Sequence, residues 1–224
     1  MKKLIIYAIM IAVLALAVFA NPNAAEVEIN ETSTYNHTIS AGEVTAQGGN
    51  VTAINLTTNS TTLNWQGFYG NVSGNLVLGD SSGNIMYDWA ITTVIGRIFA
   101  TTGTTPTWAT VNSTDVTPAD LDANLSITGA DAAASTYTDN NNTAFDIGSV
   151  TVAANSRPAL ITNAGFENIL LGVGTGPALT DFVFAGILQN AGTAFNSETV
   201  NFELMVPVST KGGTETYYFY LELE

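Results

Sequence analysis

Few residues in this chain could carry out group-transfer chemistry. Its 224 residues include one histidine, His37, and no cysteine. A Ser-His-Asp triad would have to run through His37, because the imidazole must sit between nucleophile and orienting carboxylate. His37 lies instead in a polar N-terminal stretch, as the middle residue of an Asn-x-Thr triplet. Thiol nucleophiles and disulfides are excluded by composition, and structural zinc or iron–sulfur sites lack their usual thiolate and imidazole ligands. Glycoside hydrolysis needs two carboxylates at a defined separation. The acids here fall mostly in turns and on polar strand faces, where solvation accounts for them. The chain is therefore expected not to be an enzyme.

Three weaker constellations remain. Calcium takes six to eight oxygens, often from loops. Asp80, Asn84 and Asp88 flank one hairpin, and Asp139, Asn141 and Asp146 flank a polar turn. Neither stretch follows the EF-hand order, and Asp and Asn are ordinary turn residues, so no cofactor is expected beyond a calcium ion at one of these loops. Gly172-Val-Gly-Thr-Gly-Pro177 lacks the lysine and following helix of a phosphate-binding loop and reads as a β-turn. Trp65, Phe68, Tyr69, Tyr87 and Trp89 could form a sugar-stacking platform. Aromatics at strand spacing more often belong to a core, which is the reading preferred here.

The modification signal is stronger. Asn-x-Ser/Thr triplets begin at Asn30, Asn36, Asn50, Asn55, Asn59, Asn71, Asn112, Asn124 and Asn141, about twice what random placement in this Thr/Asn-rich chain gives. Such triplets are acceptors for N-linked glycans on exposed loops of secreted proteins. None begins after Asn141, so the last third of the chain is expected to be more buried, within the fold or against a neighbour.

The elements that position these residues read as strands. Val51–Leu63 is rich in β-branched residues, which favour strands. In residues 64–89, Gly70, Gly74, Gly79 and Gly83 punctuate apolar pairs, and Asp80–Asn84 suits a hairpin loop. Thr117-Pro-Ala-Asp120 combines an N-cap, a proline at the first helical position and an early acid, predicting one short helix to about Ala123. Asp139–Asn142 reads as a turn, and strands are expected at 149–154, 158–162, 166–173 and 181–189. In Thr199–Val208 the residues Val200, Phe202, Leu204, Val206 and Val208 share a face. In Tyr217–Glu224, Phe219, Leu221 and Leu223 do. That period of two means half-buried strands, and Ser209–Gly213 between them is read as a hairpin loop. Turns near every ten residues imply an all-β fold, a β-sandwich or jelly-roll-like arrangement of antiparallel sheets.

Export is written at the N-terminus. Lys2 and Lys3 precede an uncharged run from Leu4 to Ala20 that ends Val18-Phe19-Ala20, the pattern of a cleaved signal peptide. A second cut could follow Ala25, and an uncleaved anchor is the alternative, since the run is near the minimum for a spanning helix. Removal of residues 1–20 takes Lys2 and Lys3 away and moves the net charge from −14 to −16. Nucleic acid is excluded as a partner by the scarcity of cations, and an anionic membrane would repel the processed chain. The expected organisation is a signal peptide over 1–20, an extended segment over 21–40 and one β-domain over 41–224.

The blocks WQGFYGNVSGNLVLGDSSGNIMYDW (65–89) and NFELMVPVSTKGGTETYYFYLELE (201–224) resemble, in style, secreted and glycosylated archaeal cell-surface β-proteins of filament, thread or surface-layer type. The resemblance implies a structural subunit at the extracellular surface, with copies of itself and N-linked glycans as partners. In several such filaments an N-terminal strand completes the sheet of the next subunit. That role would fall here to residues 26–39, with Val27, Ile29 and Ile39 as apolar subunit contacts. The alternative expectation is a secreted carbohydrate-binding or adhesion module.

Overall fold

The computed structural model describes residues 21–30, 33–34, 41–111, 116–139, 141–175, 178–209 and 211–224. The expected signal peptide, Asn36, Ile39 and Asn112 lie outside them. The strands are β1 (Asn23–Ala24), β2 (Trp65–Gly70), β3 (Asn75–Gly79), β4 (Ile85–Ala90), β5 (Gly96–Thr101), β6 (Phe145–Ile147) and β7 (Val150–Val152). They continue with β8 (Ala159–Ile161), β9 (Glu167–Thr175), β10 (Ala178–Ile187), β11 (Gly192–Thr193), β12 (Thr199–Val200), β13 (Phe202–Pro207) and β14 (Tyr218–Leu223). Two helices, α1 (Pro118–Leu125) and α2 (Ala133–Thr136), and a 3-10 turn at Trp108–Thr110 complete the described elements. The protein is all-β in architecture, with every described ladder antiparallel.

A six-stranded sheet in the order β1-β14-β5-β10-β9-β8 forms the centre. Side chains alternate across a strand, and here both faces are covered. Ala100, Leu170, Phe182 and Phe184 pack on one side with Leu204 and Val206 of β13, Phe68 of β2 and Leu121 and Leu125 of α1. Phe99, Ile169, Leu171, Val183 and Ala185 pack on the other side with Phe145, Ile147 and Val152 of the β6–β7 hairpin and with Trp108. This double burial is why β5 is buried along its whole length. A strand covered on both faces shows a continuous apolar run and no alternation, so GRIFAT carries little periodic signal for a strand. Gly186 lets the upper layer come close: a Cβ there would lie 3.0 Å from Ile98 and 3.4 Å from Leu204.

Several sequence expectations meet the structure directly. Thr117 caps α1 in a reciprocal box with Asp120, Pro118 opens the helix, and the helix runs to Leu125, one half-turn past Ala123. Asp80–Asn84 closes the β3–β4 hairpin, with Gly83 at φ 83°, a conformation that only glycine adopts without strain. The C-terminal expectation is corrected. Thr199–Val208 and Tyr217–Glu224 do not form a hairpin with each other: β13 pairs with β2 while β14 pairs with β5. Ser209–Gly213 lies in a connection that crosses between layers, because each strand finds its backbone partner earlier in the chain. Leu204 is buried, whereas Phe202, Phe219 and Leu221 are half-buried. Val51–Leu63 forms no strand among the described residues, and all of it is exposed. Gly172–Thr175 belongs to β9, and the chain reverses directly after it, since Thr175 pairs with Ala178 of β10. The Asp139–Asn142 region is more than a turn: Asp139 bridges Ala159. Buried Asn142 accepts from the backbone N–H groups of Ser156 and Arg157 and donates to the Thr143 and Ala153 carbonyls.

Candidate functional site

The described surface is unusual in one region. The β3–β4 hairpin has no residue buried or even half-buried along either strand, although its sequence is apolar. Leu76 faces Trp89 and Leu78 faces Tyr87 across the ladder, so these four side chains share one face. They are 48%, 50%, 52% and 58% exposed respectively. The Tyr87 and Trp89 rings meet edge to face with centroids 4.8 Å apart. Val77 and Met86 are exposed as well. Among the described residues each strand of the hairpin has one ladder partner, the other, so both outer edges present backbone groups without a ladder. An isolated two-stranded hairpin is marginal in water, and contiguous apolar surface of this kind marks an interaction site.

At the root of the hairpin lies a cleft of about 260 Å³, lined by Val72, Gly74, Ala90, Ile91, Val94 and Leu223 among others. Its lining mixes these aliphatic groups with Ser73 and Asn75. The turn at the far end is self-sufficient. Asp80 accepts from the backbone N–H groups of Ser82 and Asn84 at 2.9 Å and from Asn84 Nδ2 at 2.8 Å. Those bonds, the Asn84 side chain first, hold its carboxyl below the ordinary carboxylate range.

A second unpartnered feature is the chain between β1 and β2. Pro22 is buried, β1 lies along β14, and Ala25 donates to the Phe219 carbonyl at 2.9 Å. The start of the expected N-terminal segment is thus a strand of its own domain. Beyond it, Val27 and Ile29 are exposed at 53% and 75%, outside any ladder. Residues 41–60 have no ladder and no buried position. Val51, Ile54 and Leu56 stand 102%, 57% and 87% exposed. Where it meets β2, the arm is fastened to the body. Thr62 Oγ1 and Asn64 Nδ2 donate to the Asp131 carboxylate at 2.5 and 2.9 Å, and Trp65 Nε1 donates to the Asp131 carbonyl at 2.6 Å. These bonds, Thr62 foremost, keep the Asp131 carboxyl below its ordinary range.

The aromatic residues singled out in the sequence divide. Trp65 packs on Tyr137 and Phe68 on Phe219, inside the protein. Tyr69, Tyr87 and Trp89 are exposed, against the core reading: Tyr69 alternates with Phe68 onto the outer face of β2, and the β3–β4 hairpin has no layer over it. Tyr69 stacks edge to face with Phe195, away from the hairpin pair. The acids of the two calcium candidates have hydrogen-bonded partners. Asp88 accepts from Asn75 at 3.3 Å, Asp139 caps its own turn through Asn141 N–H at 3.0 Å, and Asp146 accepts from Thr151 at 2.7 Å. Among the described residues no group of three His, Cys, Asp or Glu side chains is placed to hold a metal.

The triplet asparagines follow one rule. Asn30, Asn50, Asn55, Asn59, Asn71, Asn124 and Asn141 are all exposed. The buried asparagines, Asn64, Asn142, Asn168 and Asn201, all fall outside triplets and have hydrogen-bonded structural roles.

One charged cluster sits at the end of β14. Arg97 is buried, pairs with Glu224 and lies 5.6 Å from the centre of the Phe145 ring. Glu222, opposite Arg97 in the ladder, accepts from Gly148 N–H at 3.0 Å, and its second oxygen has no partner. Burial raises the Glu222 carboxyl, and Glu224 and Asp146 add to the rise against the opposing Gly148 and Arg97 contributions. A carboxyl raised in the folded state penalises that state once it ionises. The penalty appears as pH rises through the folded pKa and is absent below the unfolded one. Glu222→Gln should therefore be more stable than the parent at pH 7, with the advantage shrinking towards pH 4. Urea denaturation at the two pH values checks this.

No helix among the described residues is long and apolar enough to cross a membrane. Comparison with protein-family models, curated proteins and solved structures finds no match to this chain. The fold and surface define an antiparallel β-protein with a projecting apolar hairpin and a long unpaired arm.

Proposed function

We propose that this protein is a structural subunit of an extracellular glycosylated filament or cell-surface coat, built from copies of the chain joined by strand addition. The reading takes the β2–β13 pair over the central sheet as a sandwich. The observation that carries it is the β3–β4 hairpin, apolar on its surface and, among the described residues, without a ladder along either outer edge. A protein that acts alone in water gains nothing from such a ribbon, whereas a subunit can bury it against a neighbour. The net charge of −14 opposes random association, so contacts must come from specific backbone pairing and apolar packing. The exposed triplets support N-linked glycans on the outside of the assembly. Cleavage after Ala20 would keep Pro22–Ala25 on β14, while cleavage after Ala25 would strip them from it.

The test is electron microscopy of native cell-surface material, with peptide identification and glycopeptide mapping. The expected result is this chain within regular filaments or a lattice, processed at its N-terminus and carrying glycan on several of the exposed asparagines. Recovery as a free, unmodified monomer would sink the proposal. A second reading, a carbohydrate-binding or adhesion module, rests on the exposed Tyr87–Trp89 pair. It expects glycan-array binding that Trp89→Ala abolishes.

A further inference from the structure

We infer that residues 51–59 of one copy dock on the β3–β4 hairpin of a second copy. The inference rests on the subunit reading above and assigns the two halves of its joint. The chain VTAINLTTN is strand-type by composition, yet it has no ladder in its own fold. Connections this long without structure of their own are uncommon in compact domains and usually serve a function. In an extended strand, Ile54 and Leu56 fall on one face between Thr52 and Thr58. Asn55 and Asn59, both triplet asparagines, fall on the other. A strand with this pattern can bury one face and carry glycans on the opposite one without conflict.

The hairpin offers what the arm lacks. Its free edge supplies backbone donors and acceptors, and its Leu76–Leu78–Tyr87–Trp89 face continues an apolar stripe. Paired with an edge, the arm makes the ribbon three-stranded, the minimum that holds together in water when one face is apolar. Arm and hairpin belong to the same chain and both stand exposed within it, so a second copy provides the complement of each. The segment is tied down at Thr62–Trp65, so Ile54, a few residues before that anchor, can stand off by up to roughly 25 Å at about 3.3 Å per residue, enough to meet a neighbouring subunit. A head-to-tail joint of this kind is heterologous and propagates into a chain of subunits.

The residues to change are exposed and outside the core, so the variants keep the fold. The full chain with its native modifications is compared with Ile54→Asp/Leu56→Asp and with Leu78→Asp/Trp89→Asp, by sedimentation under conditions in which the parent assembles. Each variant alone should lose assembly, with self-association weaker by roughly tenfold or more, as for loss of interface anchors. Mixing the two variants should give a dimer and nothing larger, because one intact arm meets one intact hairpin. The absence of cysteine gives a direct second readout: chains carrying Leu56→Cys and Leu78→Cys should form a mixed disulfide on mixing. Assembly unimpaired by the arm variant overturns the inference while leaving the subunit reading intact. So does loss of assembly in Val27→Asp/Ile29→Asp with the arm variant unaffected. A disulfide that forms only within a chain bearing both cysteines also overturns it. A parent that stays monomeric up to millimolar concentration overturns both.

Discussion

Truncating Phe184 to Ala should destabilise the protein by about 3–5 kcal/mol, the range for removing a fully buried phenylalanine. Phe184 has no solvent exposure and lies at the centre of β10, between β9 and β5. Its ring meets Tyr217 edge to face at 5.7 Å and belongs to the cluster that joins the central sheet to Leu204, Val206 and α1. Loss of the ring removes its transfer free energy and leaves a cavity that strands bound on both sides cannot close. A whole domain is stable by only about 5–15 kcal/mol, so this one change consumes a large fraction. Phe219→Ala, at a half-buried position of β14 between short β1 and β5, should cost less. Chemical denaturation of the two variants gives the ordering. Equal effects would mean that Phe219 is covered as deeply as Phe184, against its half-buried position.

Asn168→Ala should cost about 2–4 kcal/mol for a different reason. Asn168 sits in β9 with no exposed surface and bridges two layers. Its Nδ2 donates to the Glu203 carbonyl at 2.9 Å, and its Oδ1 accepts from Met205 N–H at 2.7 Å. The side chain thus satisfies both backbone groups on the β13 edge that faces the central sheet. Alanine would orphan a buried donor and a buried acceptor, each at about 1–3 kcal/mol. Asn168→Asp should also destabilise, because a carboxylate can accept from Met205 but cannot donate to the Glu203 carbonyl. Thermal melts of the two variants are the check, and an aspartate variant matching the parent at pH 7 would exclude the bridge.

Much of this fold can be read along the chain where the pattern is local. The Thr117-Pro118 cap, the Asp80–Asn84 hairpin turn and the strands from 150 to 187 follow from short-range chemistry: a cap geometry, a positive φ, a run of β-branched residues. The alternation Phe219, Leu221, Leu223 against Tyr220 and Glu222 is likewise local and marks β14 as a strand, but not its burial: Tyr220 packs on Trp108 and Glu222 is half-buried, so both faces are covered. Composition alone removes cysteine chemistry, and the triplet asparagines among the described residues are all exposed.

Tertiary structure decided the pairing and the exposure. β13 and β14 look like a hairpin because they are neighbours in sequence and share a period. Yet backbone hydrogen bonding is indifferent to sequence distance, and each strand joins a partner more than a hundred residues away. The central strand β5 was hidden by burial on both faces, which erases the period of two. Asn168 looks like a polar interruption of an apolar strand until the β13 edge comes within reach of it. Apolar residues at strand spacing give the same signal whether or not a second layer lies over them. So Val51–Leu63 reads as a strand and Tyr87 and Trp89 read as core, yet all of them stand exposed, outside any layer formed by the described residues.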